Sequence, residues 1–70
     1  MLTDMYIARR RVTLHDWYKI YNWCLFNLGD KPTRWTLGTG STEIYNGIRY
    51  LHIIIRFQNQ KDKFMFEMIW

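Results

Sequence analysis

The run from Gly47 to Phe57 restricts this chain more than any other segment, because it is rich in Ile, Tyr and Phe and reads as a long strand. Alternation along it places Leu51, Ile53, Ile55 and Phe57 on one face and Tyr50, His52, Ile54 and Arg56 on the other, and the first of these is a core face. The chain has 70 residues, enough for one hydrophobic core and no second one. Whatever else the sequence encodes must therefore build a sheet around this strand and cover one side of it.

The cover is legible. Thr13-Leu14-His15-Asp16 sets a carboxylate three residues after a hydroxyl, the pattern that satisfies free backbone N–H groups at a helix start. Leu14, Trp17, Tyr18, Tyr21, Cys24, Leu25 and Leu28 then follow at helical spacing, and Gly29 stands where a left-handed terminating residue belongs. This predicts a helix over Leu14 to Leu28 with Tyr21 in its buried stripe. Before it, Met5 to Val12 reads as a strand that includes three consecutive arginines, Arg9 to Arg11. After it, Asp30-Lys31-Pro32 turns the chain, Thr33 to Leu37 reads as a short strand, and Gly38 to Asn46 as a loop.

The last segment admits two readings. Phe64, Phe66, Met68 and Trp70 alternate as in a strand, whereas Asn59-Gln60-Lys61-Asp62 is a capped helix start leading to Phe64, Met65 and Met68. The helix is favoured. The order is then β-α-β-β-α, a small α+β domain of a three-stranded sheet with one or two helices on one face. It resembles a ferredoxin-like unit that stops before its fourth strand, with Gly47 to Phe57 central; the alternative is β-α-β-β-β. The ending, strand Gly47 to Phe57 followed by Asn59-x-x-Asp62-x-Phe64, is similar to the strand-to-helix endings of short accessory proteins of tailed phages. That resemblance implies no functional residue.

Composition narrows the function classes. A chain 49% hydrophobic and 19% aromatic has the apolar material to fold. Small cores leave little net stability, and neither a disulfide nor a metal is on offer here, so a partner is expected. Cys24 is the single cysteine, and with His15 and His52 it makes no zinc spacing. Ten Lys and Arg against six Asp and Glu give a net charge of +4 and a pI near 9.5, which favours polyanions or acidic surfaces. No stretch approaches a membrane span, and a cytoplasmic location is expected.

The chemistry is mostly negative. The acidic residues are scattered over caps and turns, so no catalytic residue is assigned, and no cofactor, metal or small-molecule substrate is indicated. Asp16, Asp30 and Asp62 read as helix-end or turn residues and Cys24 as a buried thiol. Gly38-Thr39-Gly40-Ser41-Thr42 lacks the lysine and spacing of a phosphate-binding loop and reads as a turn.

Two surfaces remain. Trp23 and Phe26, three residues apart on the far side of the helix beside Lys19, read as a protein contact, unless C-terminal residues including Trp70 fold over the pair. Alternation also predicts an open sheet face carrying Tyr6, Arg10, Arg34, Thr36, Tyr50, His52 and Arg56, which suits stacked bases and phosphates. The expected function is therefore a small interaction protein that inhibits or modulates a larger macromolecule by occupying its surface. That macromolecule is a protein in the first reading, foreign or a second copy, and nucleic acid in the alternative.

Overall fold

A computed structural model describes residues 6–30 and 33–70. Strand β1 (Tyr6–Val12) leads to helix α1 (Leu14–Leu28), then come strands β2 (Trp35–Tyr45) and β3 (Ile48–Phe57) and helix α2 (Gln60–Ile69). The three strands are ordered β1-β3-β2, and β3 is antiparallel to both neighbours. This is the expected β-α-β-β-α unit with the most apolar strand in the middle. Met5, Lys31 and Pro32, which the sequence places in the first strand and the first turn, lie outside the described residues.

Local chemistry sets the helix ends. The Asp16 backbone N–H donates to Thr13 Oγ1 at 3.2 Å, and Gly29, at φ 83°, donates its N–H to the Leu25 carbonyl at 3.0 Å. Trp35 ties that end of α1 to the sheet, its indole N–H donating to the Gly29 carbonyl at 2.7 Å. The last segment is the helix of the two alternatives, opened by the Asp62 N–H on Asn59 Oδ1 at 2.9 Å.

Both helices lie on one side of the sheet. The core is Ala8, Ile20, Cys24, Leu28, Trp35, Ile53, Ile55, Phe57 and Phe66. The helical stripe differs from the expected one: Ile20 is fully buried, whereas Leu14, Tyr18 and Tyr21 are exposed. The cause is α2. It packs on the same sheet face and meets α1 through the rings of Phe66 and Trp23, 5.9 Å apart, so the buried arc of α1 rotates toward Ile20 and Trp23. Phe66 also lies 5.5 Å from Phe57 of the sheet, which makes it the residue that joins the two helices and the sheet.

Strand β2 is longer than the sequence suggests. It runs through the segment read as a loop, because Asn46 and Gly47, at φ 52° and 77°, form a two-residue turn with both central residues left-handed. That turn matches the twist of paired strands and zips β2 onto β3. A bulge between Thr39 and Thr42 resets the register. Space is tight at Gly40, where an added Cβ would approach the His52 carbonyl oxygen to 3.3 Å.

Cys24 is fully enclosed, and burial pushes its thiol from 9.0 up to about 12. Between those values the folded chain holds a proton that the unfolded chain releases. Stability therefore falls as pH rises through that window, by at most about 1.4 kcal/mol per pH unit. Denaturant titrations at about pH 8 and about pH 10.5 should show a steeper loss for the parent protein than for Cys24→Ala.

Candidate functional site

The side of the sheet away from the helices is uncovered, and strand register fixes what it displays. Ile7, Arg56 and Thr36 lie side by side, next to them Arg9, Ile54 and Gly38, and beyond these Arg11 and His52. Tyr50 and Glu43 follow, then Ile48 and Tyr45. Four expected residues of this face, Thr36, Tyr50, His52 and Arg56, are on it.

Three others are not. Tyr6 and Arg10 pair with Phe57 and Ile53 and so point to the helix side; the parity of β1 is set by Ala8, which enters the core opposite Ile55. Arg10 is occupied there. Its guanidinium lies 5.4 Å from the Phe66 ring centroid and donates to the Arg9 carbonyl at 2.7 Å and the Trp70 carbonyl at 3.4 Å, with Glu67 4.0 Å away. Arg34 is drawn to α2, where it grips Asp62 with two hydrogen bonds of 2.9 and 3.2 Å. That bond and the carboxylate's charge raise the Arg34 pKa further.

The places of Tyr6 and Arg10 are taken by Arg9 and Arg11, which the sequence offers in the same triplet. Arg11 lies over the Tyr50 ring, 4.9 Å from its centroid, and donates to Glu43 Oε1 at 3.2 Å. His52 Nε2 meets the same oxygen at 3.3 Å. Arg9 and Arg56 have no side-chain partner among the described residues.

A second feature was not anticipated. Strand β1 ends at Val12, opposite Leu51, and α1 begins just after it, but β2 and β3 continue to the Asn46–Gly47 turn. Every residue from Thr42 to Arg49 is exposed, so the end of the hairpin stands off the body as a two-stranded arm. It carries Ile44, Tyr45 and Ile48, which are 67%, 60% and 47% exposed. The sequence signal was Asn46-Gly47 itself, a dipeptide specific for tight hairpins.

On the helix layer the expected contact surface divides. Trp23 packs against Phe66 and is half-buried, so helix α2 covers it. Lys19 stays exposed, and Phe26 is 91% exposed on the outer side of α1. His15 is exposed. Among the described residues no group of three His, Cys, Asp or Glu side chains could hold a metal ion, and no helix is long and apolar enough to cross a membrane. The chain matches no protein-family model, no curated protein and no solved structure.

Proposed function

We propose that this is a small interaction protein that docks on a larger protein and modulates it by occupying its surface, with the β2–β3 arm as the inserted element. The observation that carries the reading is the exposure of Ile44, Tyr45 and Ile48 on an arm outside the core. A two-stranded ribbon is marginally stable by itself in water, and large apolar side chains at such a place are costly unless something covers them. The arm carries one cation, Arg49, and Glu43 is taken up by Arg11 and His52, so its chemistry suits an apolar pocket better than a phosphate backbone. Phe26, beside Lys19, offers a further anchor on α1.

The test is capture of partners from native host lysate with the tagged protein, with and without nuclease. A stoichiometric protein that survives nuclease is expected. Ile44→Ser with Ile48→Ser should then cost about 2 kcal/mol or more of binding and leave the melting temperature unchanged, since these side chains contribute to an interface and not to the core. Trp23→Ala, in contrast, should lower the melting temperature. An arm variant that binds the captured protein as tightly as the parent would remove the arm from the contact.

A further inference from the structure

The open sheet face carries a binding surface of a different chemistry, independent of the arm. Its three strands contribute side chains of unequal height. β1 supplies Arg9 and Arg11, β3 a middle line of Ile54 and His52, and β2 presents Gly38 opposite Ile54 and Gly40 beside His52. Glycines at these two positions carry no side chain, so the β2 side of the face is low between Thr36 and the bulge. Beside Gly40 lies a shallow trough of about 460 Å³, bounded by the Arg9–Arg11 stretch of β1 and by Gly40 and Ser41 of β2, with the His52–Ile54 stretch of β3 beneath it.

Charge on this face is one-sided. Glu43 is its acidic residue among those described, and its Oε1 is already shared by Arg11 and His52. Arg9 and Arg56 are left uncompensated among the described residues. They are diagonal neighbours across the β1–β3 pair, about 7–8 Å apart, and Arg11 follows Arg9 on the same face at about 7 Å. A small anion is gripped by donors that converge on one point. These cations instead run from Arg56 on the central strand to Arg9 and Arg11 on β1, beside Ile54 and His52, with the Tyr50 ring under Arg11. A row of that kind fits a polymer with one negative charge per unit and a planar apolar group between charges.

We propose that the open face binds single-stranded nucleic acid, with phosphates along Arg56, Arg9 and Arg11 and a base seated over the floor that Gly38 and Gly40 keep clear. Arginines give the salt-dependent part of such binding, and apolar and aromatic side chains give a part that is tolerant of sequence. The glycines add a requirement that charge alone does not: the floor must stay empty.

The experiment is a fluorescence-anisotropy titration of the intact protein with a labelled oligothymidylate of about 12 nucleotides. Saturable binding is expected, weakening steeply between about 50 and about 200 mM salt. Arg9→Gln with Arg56→Gln should weaken it about tenfold or more and flatten the salt slope by roughly one unit for each lost phosphate contact. Gly38→Val tests the floor: its Cβ would sit 3.8 Å from the Ile54 carbonyl oxygen, an ordinary contact, and valine suits a strand. That variant should lose about tenfold in affinity with an unchanged salt slope. The arginine pair, exposed and without a partner among the described residues, keeps the test decisive even if the valine variant melts early. No binding at the lower salt would overturn the proposal. So would unchanged binding by the arginine double variant or by a folded Gly38→Val, or displacement of the oligonucleotide by a duplex or by polyglutamate as readily as by unlabelled strand.

Discussion

Phe66→Ala should leave the protein without a cooperative unfolding transition. The ring is completely buried, and it touches Phe57 of the sheet and Trp23 of α1 while the Arg10 guanidinium rests on it. Truncating a phenylalanine in such a place costs about 3–5 kcal/mol, through lost transfer energy and the cavity left behind. A domain of this size has about that much stability in total. Ile53→Ala, at a position 1% exposed in the central strand, should cost about 2–5 kcal/mol and belongs to the same class. Tyr21→Ala does not, because that ring is 37% exposed and only leans on Trp17 and Trp35. Thermal melts of the three variants check the ranking. A cooperative melt of Phe66→Ala close to that of the parent would mean that α2 is not docked by this ring.

The second large effect concerns Arg34 and Asp62, and it is asymmetric. Asp62 is 2% exposed while the Arg34 side chain is 44% exposed. Removing Asp62 releases the guanidinium into water, which solvates it well. Removing Arg34 leaves a buried carboxylate without its two donors, and an unsatisfied buried group of that kind costs about 1–3 kcal/mol or more. Arg34→Ala should therefore melt lower than Asp62→Ala. The double variant should melt higher than Arg34→Ala alone, since the stranded charge has gone. A double variant less stable than either single one would show that the two residues act separately.

The parts of this fold that were legible in the sequence are those fixed by neighbours along the chain. Thr13, Asp16 and Gly29 delimit α1 because caps act over three or four residues, and Gly47 to Phe57 declares itself through composition and alternation. The order of elements follows from them. What was not legible depends on residues distant in sequence. Three arginines in a row give β1 no alternation to read, so its parity waits on Ala8 meeting Ile55. The Arg34–Asp62 pair spans 28 positions and exists only once α2 is docked. The stripe of α1 was misplaced because a second helix takes one flank, burying Trp23 and freeing Tyr18. The extent of β2 was underestimated on the evidence of Gly38 and Gly40, weak strand formers that pairing with β3 overrides. Of the candidate open face, the contribution of β3 was right because its alternation is strong, and that of β1 was shifted by one residue.

The arm has a consequence for how such a protein changes over generations. Its eight residues from Thr42 to Arg49 lie outside the packed core, so substitutions at Ile44, Tyr45 or Ile48 leave the residues that hold the fold together untouched. If the arm docks as proposed, drift in the partner's pocket could be followed there by replacing one side chain at a time, without compensating mutations in the body. The two-residue turn limits this freedom in one respect. Because successive strand residues face opposite ways, inserting a single residue on one side of Asn46–Gly47 would exchange the two faces of that strand's tip, while lengthening both strands together preserves them. Residue type is constrained by the fold at Asn46 and Gly47, whose φ is positive, and length changes keep the faces only in matched steps.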